Sequence, residues 1–444
     1  MKILVVGGSA AGLTAASTIK RRKPDAQVIV FEKSGDVSYS ACGMPYNLLE
    51  KDKPAESLYA LSFKEITEVR GIDYRLHSEV LSIDPQKGRA VVYDRENSKE
   101  YAEEYDFLVY AAGALPNRLP LKGFDQHNAF YFKTLDDLRR VKKFIYEKKP
   151  KRACLIGAGF VNLELSEIFK ELGMDVVVLE KMDKILPSFE PEIRQKAEEY
   201  LKKKGVLLET SVEVNYLDGN AVDTSIGRIP CDFVIAAVGI KPNAEIIREA
   251  GGEIGYKGAV KVNSYLETSL DNVFAAGDCA EHYVRVLDRN LYMPLGTTAN
   301  KQGKIVGHNL SFPNSKKPFY GINQTSVFKI FDYTVGTTGL FSQQLEEEGI
   351  SWNKSVVDVR TRGAYPGGGK MRVCLLFEKG SGRILGCQMV GEDVVAKRLD
   401  VAAAAMYAGL TVFELAELDL SYAPPYSPVW DPLLVAANQA LKAV

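Results

Sequence analysis

The 444-residue sequence predicts an α/β fold built on two copies of one β-turn-α-β unit, followed by an α+β C-terminal region. Three observations carry that prediction. The apolar run KILVV at 2–6 enters the glycine turn GGSAAG and the helical stretch LTAASTIKRR, and VIVFE at 28–32 supplies the next strand. ACLIGAGFVNLELSEIF at 153–169, then DVVVLE at 175–180, repeats strand, turn, helix and strand. From about Tyr320 the pattern changes to strand-like runs (VFKIFDYTVG, VCLLF, ILGCQMVG) and an alanine-rich helix at 394–409.

Each unit offers what a dinucleotide requires: a sharp turn, backbone close to the pyrophosphate, and phosphate at a helix N-terminus. In the first, Gly7, Gly8 and Gly12 keep the turn small while Ser9 replaces the second glycine. Glu32 closes the second strand, where it would accept hydrogen bonds from the adenosine ribose. In the second unit Gly157 and Gly159 fit, and Asn162 stands where a third Gly or Ala is expected, which predicts altered helix–strand packing. Glu180 ends the strand that follows. A carboxylate there prefers a free ribose 2′-hydroxyl, so NADH over NADPH, while Lys181 and Lys184 would tolerate some 2′-phosphate. Two dinucleotides in one chain imply electron transfer between them.

Three further stretches read as strands ending in small residues: YDFLVYAAGALP (105–116), CDFVIAAVGIKPN (231–243) and TSLDNVFAAGDCAE (268–281). Asp278 at the last strand end can hydrogen-bond a flavin's ribityl or ribose hydroxyls, and Cys279 beside it reads as packing. PLGTTANKQGKIVGHNL (294–310) reads as a loop entering a helix whose first N–H groups face a flavin carbonyl.

The totals exclude several classes. A hydrophobic share of 46%, a charged share of 25% and a net charge of -1 describe an ordinary soluble protein with no reason to bind nucleic acid or an acidic membrane. No apolar run approaches the roughly 18 residues of a membrane span. MKILVVGG leads directly into the first strand, with no signal peptide in view. The cysteines at 42, 154, 231, 279, 374 and 387 lack metal or disulfide spacing, which suits a reducing cytoplasm. The histidines are His77, His127, His282 and His308; the first two fall in expected loops, and no His/Cys/carboxylate cluster points to a metal.

Cys42 sits in SYSACGMPY, before an expected helix starting near Gly43, whose N-terminus would favour the thiolate. No partner cysteine stands at CxxC or CxxxxC spacing, so chemistry there uses one sulfur.

Taken together, GGSAAG, AAGALP, GAGFVNLE and FAAGDCAE resemble the pyridine nucleotide-disulfide oxidoreductase family over essentially the whole chain. Ser38, Cys42, Gly43, Pro45 and Tyr46 match the SxxxCGxPY motif of its single-cysteine branch, which contains NADH oxidases, NADH peroxidases, coenzyme A-disulfide reductases and persulfide or polysulfide reductases. The resemblance implies two Rossmann-like domains and a homodimer: FAD domain at 1–118, NAD(P)H domain at 119–246, the rest of the FAD domain at 247–319, and a dimerisation domain at 320–444. It implies cofactor contacts at Gly7, Gly8, Ser9, Ala10, Ala11, Gly12, Glu32, Lys33, Ala112, Gly113, Asp278, Ala299, Gly157, Gly159, Phe160, Glu164, Glu180 and Gly239. Phe160 matches the aromatic gate that moves aside when the nicotinamide docks, and Glu164 the acid beside the nicotinamide amide.

Within the branch, peroxidases and many oxidases carry a histidine where this chain has Ala10. Tyr365 and Tyr422 match tyrosine loops that, in coenzyme A-disulfide reductases, approach the cysteine from the partner subunit. Thr14, Thr18 and Arg21 match helix positions that hold coenzyme A, Ser38 joins them through the motif, and Arg70 is assigned to the nearby basic group. Ala41 replaces an Asn frequent in those enzymes. No histidine follows His308 to act as a C-terminal base, leaving tyrosines or water to protonate a departing thiolate. The expectation is an enzyme passing electrons from NAD(P)H through FAD to Cys42, which reduces coenzyme A disulfide, persulfide or polysulfide. A chain ending at Val444 leaves no room for the rhodanese domain of some relatives, so a persulfide would arrive from outside. The alternatives are an NADH oxidase in which Cys42 cycles through sulfenic acid, and a redox sensor.

Overall fold

The computed structural model describes residues 1–125, 128–365 and 367–444; His127 lies outside them. The described chain divides into two compact units, Met1–Asn117 with Lys133–Leu138 and Gly239–Ile322, and Arg118–Phe132 with Arg139–Val238 and Asn323–Val444.

The first unit is organised around five parallel strands, in the spatial order Val273–Ala275, Phe107–Tyr110, Lys2–Val6, Gln27–Phe31, Asp73–Arg75. Val6 pairs with Phe31 on one side and Tyr110 on the other. The central strands are near-continuous aliphatic runs because both faces are covered. Ile3, Leu4, Val5, Ile29 and Val30 are fully buried. Helix Ala10–Arg22 lies against helix Gly296–Ser311. Small residues allow that approach: a Cβ on Gly303 would stand 2.3 Å from the Ala11 carbonyl oxygen, and one on Gly307 2.6 Å from Thr18 Cβ. Three antiparallel strands, Ser78–Asp84, Arg89–Asp94 and Lys99–Glu104, and the ribbon Ala114–Pro116 with Ile240–Pro242 complete the unit.

The second unit repeats this plan. Its parallel sheet runs Val206–Glu209, Asp175–Leu179, Arg152–Ile156, Phe233–Ala236, Ala129–Tyr131, with three antiparallel strands from Val214–Leu217 to Gly227–Pro230. The same unit holds an antiparallel sheet in the order Ser326–Ile330, Tyr333–Gly339, Ile384–Gly391, Lys370–Glu378, Trp352–Arg360, packed by helices Val395–Ala408 and Pro432–Ala440. Among the described residues no helix is long and apolar enough to cross a membrane.

Candidate active site

In the first unit the expected residues gather at the carboxyl ends of the parallel strands, where crossover geometry leaves a crevice. Gly7 takes φ +94° and donates its N–H to the Phe31 carbonyl at 2.8 Å. A Cβ there would lie 2.3 Å from the Ala111 oxygen, so the turn accepts only glycine. The Gly8 N–H donates to Glu32 Oε2 at 3.0 Å, and Ser34 donates its N–H and hydroxyl to Oε1 at 3.0 and 2.9 Å. Ser9 precedes helix Ala10–Arg22 without a side-chain cap, leaving first-turn N–H groups, Ala11 and Gly12 among them, for an anion. Lys33 is exposed beside Glu32.

The remaining strand ends add their residues to the same side. Ala112 and Gly113 (φ +68°) follow Phe107–Tyr110, and the Gly239 carbonyl (φ +94°) accepts the Asn117 N–H at 3.0 Å. Ala299 is buried in the first turn of Gly296–Ser311. Burial holds the Asp278 carboxyl above its ordinary range, opposed by Lys133 Nζ at 4.0 Å. Cys279 donates to the carbonyls of Tyr110 and Ala276, both at 3.4 Å, and burial pushes its thiol up to about 12. It packs and does not react.

Cys42 is exposed, whereas the other five cysteines are buried free thiols. The expected helix behind it is far shorter than the sequence suggested. Ala41–Gly43 form a 3-10 turn and Met44–Asn47 a single α-turn, so no long macrodipole points at the sulfur. Pro45 opens that turn, and the chain then leaves. The backbone just before Cys42 is pinned: Ser40 N–H donates to Leu58 O and Ala60 N–H to Ser38 O, each at 2.8 Å. Tyr39, three residues before the cysteine, has its hydroxyl pushed up to about 12 by burial and then by Glu32.

The residues expected to hold coenzyme A lie along the first helix and near it. Thr14 Oγ1 donates to Asn300 Oδ1 at 2.8 Å, Arg21 is exposed, and Arg70 Nη1 donates to Ser17 Oγ at 2.7 Å. Thr14, Ser17 and Arg21 recur at helical spacing and share one face. Two of the expected residues are buried. Thr18 is 2% exposed against Gly307, because it points into the helix–helix contact, and Ser38 is 7% exposed in the turn under Cys42. Ser17, which sequence reasoning missed, stands on that same face; counting three residues on from Thr14 and four back from Arg21 would have found it.

The second unit has its own strand-end turn. Gly157 (φ +96°) donates to Leu179 O at 2.7 Å, and its Cβ would meet the Ala237 oxygen at 2.6 Å. Glu180 accepts the Ala158 N–H on Oε2 and the Met182 N–H on Oε1, both at 2.8 Å. A Cβ on Gly159 would meet no protein atom within 4 Å, which leaves space for a ligand. Phe160 is exposed at the helix start and stacks on Phe328, ring centroids 4.6 Å apart, with Phe189 edge-on at 6.0 Å. Glu164 lies one turn later, half-buried. Asn162 is buried and donates to the Ile156 and Gly157 carbonyls at 2.8 Å each. Lys181 pairs with Glu213 at 2.9 Å on the surface.

Glu190, Glu192 and Cys374 bring ligand atoms within 4.8 Å of one another, but Lys354 Nζ lies 2.9 Å from each carboxylate and supplies the cation. Tyr365 and Tyr422 are 91% and 55% exposed. A cavity of about 520 Å³, lined by Phe107, Asn272, Val273 and Lys23, opens at the amino ends of the first unit's strands, away from every residue above.

The pyridine nucleotide-disulphide oxidoreductase family matches residues 1–303, and its dimerisation domain matches residues 325–432. The chain is 34% identical over 456 residues to an NADH oxidase of Methanocaldococcus jannaschii, covering 100% of this chain and 99% of that one. It is 34% identical over 442 residues to an NAD(P)H coenzyme A polysulfide/persulfide reductase of Pyrococcus horikoshii, 98% of each. It is 30% identical over 431 residues to a coenzyme A disulfide reductase of Staphylococcus aureus, 96% of each. Among solved structures, an NAD-dependent persulfide reductase from A. fulgidus superposes with a TM-score of 0.95 at 35% identity, over 100% of this chain and 83% of that one.

Proposed function

The chain belongs to the pyridine nucleotide-disulphide oxidoreductase family, and from that membership we propose that it spends NAD(P)H electrons on coenzyme A disulfide or coenzyme A persulfide through Cys42. The observation that carries the reading is one exposed thiol in the same unit as a helix face presenting Thr14, Ser17 and Arg21 with Arg70 tied to it.

The residues fit the cofactors. FAD would be held by the Gly7–Gly12 turn, Glu32, Lys33, Ala112, Gly113, Gly239, Asp278 and Ala299, and the nicotinamide nucleotide by the Gly157 turn with Gly159, Phe160, Glu164 and Glu180. When bound, the flavin carries electrons from the nicotinamide to the cysteine. The protein does the rest. Cys42 thiolate attacks one sulfur of the substrate, the sulfur–sulfur bond breaks, and the displaced thiolate or hydrosulfide takes up a proton while a mixed disulfide or persulfide remains on Cys42. Two arginines on one face suit the phosphates of coenzyme A. Phe160 covers its site until a nucleotide displaces it.

The dimerisation domain supports a homodimer. In it Tyr365 and Tyr422, too exposed to be packed in their own chain, reach the partner's cysteine and donate the proton. Six free thiols suit a reducing cytoplasm. The NADH oxidase reading has a 34% identical relative in its favour, but half-buried Ala10 offers no proton donor at the first turn.

The test combines Cys42→Ser with acceptor kinetics. Reduction of coenzyme A disulfide and persulfide should fall on the order of 10³-fold or more, while a slow flavin-mediated oxygen consumption persists. Mass spectrometry of non-reduced protein should find coenzyme A or extra sulfur on Cys42. Mixed dimers of Cys42→Ser with Tyr365→Phe/Tyr422→Phe should regain activity. Fast water-forming turnover lost in Cys42→Ser would replace this reading with the oxidase.

A further inference from the structure

A pocket of about 320 Å³ in the second unit shares no residue with the redox site. Lys196 of helix Pro191–Lys203 and Tyr333 form two walls, and the paired ends of strands Trp352–Arg360 and Lys370–Glu378 form the third. In the ladder Asp358 lies opposite Arg372 and Arg360 opposite Lys370. Residues two apart share a face, so all four side chains project together.

The two cross-strand pairs are electrostatically unlike. Arg372 places Nε 2.9 Å and Nη2 2.5 Å from the Asp358 carboxylate, and those bonds hold Asp358 below its ordinary range. Its Nη1 donates to the Glu192 carbonyl at 3.2 Å. Arg360 and Lys370, by contrast, are like charges in direct opposition, an arrangement that destabilises a sheet. Neither they nor Lys196 has an ion pair or side-chain hydrogen bond among the described residues, although the Asp358 charge, already bonded to Arg372, also acts on Lys196 and Lys370 from a distance. Two further acids stand near the pocket: Glu199 receives the Gln195 amide at 3.0 Å, and Glu392 lies beside Gly369, and both act on Tyr333.

We propose that this pocket binds a diphosphate-bearing anion through Lys196, Arg360 and Lys370. The guanidinium of Arg360 presents the planar fork that phosphate oxygens accept, and the two lysines add point charges on either side. The anion removes the repulsion between the strand ends, and the cavity lies at the small end of ligand-site volumes, roughly 300–1,000 Å³. The loop joining Arg360 to Lys370 carries Tyr365, so occupancy fastens both ends of that loop. This holds whichever sulfur acceptor the enzyme uses.

The experiment is calorimetric titration of the FAD-loaded enzyme carrying Arg21→Ala/Arg70→Ala, saturated with NAD, using inorganic pyrophosphate in one arm and ADP in the other. One diphosphate should bind per chain. Adding Arg360→Gln/Lys370→Gln, or Lys196→Gln alone on its separate helix, should weaken it at least tenfold. The double variant without ligand should melt no lower than its parent, and the rise in melting temperature that pyrophosphate gives the parent should vanish. ADP binding with the same losses assigns the site to nucleotides, and pyrophosphate binding alone assigns it to inorganic diphosphate. Absence of binding to the parent, or affinity unchanged in both variants, overturns the proposal.

Discussion

In both dinucleotide units the turn glycine has the same positive φ, +94° at Gly7 and +96° at Gly157, and donates to the end of the second strand. In both, the following N–H, from Gly8 or Ala158, reaches the acid that closes that strand. Even the five-strand order matches, although the fifth strand comes late in the chain in one unit (Val273–Ala275) and early in the other (Ala129–Tyr131). The backbone frame is thus duplicated. Three turn side chains are not: Ser9, Ala10 and Gly12 stand where the second unit has Gly159, Phe160 and Asn162. The first helix is drawn onto its strand by the lack of a side chain at Gly12. The second is kept at a distance that one amide fills, and its exposed Phe160 covers the entrance. The frame makes the fold, and the three substitutions set what each unit does with its ligand.

The contrast at Gly12 and Asn162 breaks most readily. A Cβ on Gly12 would lie 1.9 Å from the Gly7 carbonyl oxygen and 3.0 Å from Val5 Cγ1, both fixed by the sheet. Gly12→Ala should cost about 3 kcal/mol of stability and yield protein low in flavin absorbance. Asn162→Ala has room for its side chain and loses only two amide donors, so about 1–2 kcal/mol with full flavin content. Urea melts and the absorbance ratio at purification read both. Equal costs at the two positions would mean that the helices approach their strands alike.

Acid should separate the units next. Among the described residues every histidine lies in the first unit. His282 is fully buried; its Nδ1 accepts the Met293 N–H at 3.3 Å, which leaves the proton on Nε2. Burial lowers its pKa from 6.5 to about 4. The unfolded chain therefore binds this proton at higher pH than the native one. The associated stability is present in full above 6.5 and is lost as pH falls toward about 4, roughly 3 kcal/mol in total at 1.36 kcal/mol per pH unit. Melting temperature followed from pH 7 to 4 should fall less steeply in His282→Leu, and an unchanged slope would remove His282 as the cause.

What the sequence made legible follows the same division. Strands, turns and acids could be read because hydrophobic period and glycine position express backbone demands that act within a few residues. Side-chain direction could not. Thr18 and Ser17 are adjacent, and only the packing of Gly307 decides which of them faces solvent. The helix expected behind Cys42 gives way after one turn to i→i+3 bonds from Leu48, Leu49 and Glu50, and Ser38 and Ser40 before it pair with the segment at Leu58 and Ala60, a long-range contact with no local mark. Lys181 also pairs with Glu213, thirty-two residues on, a contact with no local mark.

The finest difference between the units lies in the two acids, and it bears on which nicotinamide nucleotide is used. A carboxylate has about four acceptor positions. Glu32 spends three of its own on Gly8 and on the N–H and hydroxyl of Ser34. Glu180 spends two, on Ala158 and Met182, since position 182 brings no hydroxyl. Two acceptor positions remain for the vicinal hydroxyls of a ribose, and a 2′-phosphate would meet the same negative charge. Lys181, in a surface pair with Glu213, and Lys184 lie near enough in the chain to offset part of that repulsion. NADH should accordingly have the higher kcat/KM, with measurable NADPH activity. Glu180→Ala should narrow the ratio about tenfold, the worth of one charged hydrogen bond at about 1.5 kcal/mol, and Lys184→Ala should lower the NADPH value while leaving that for NADH in place. Steady-state kinetics with both donors decide it. A wild-type preference for NADPH, or a ratio untouched by Glu180→Ala, would show that the second acid keeps the turn in shape and does not read the ribose.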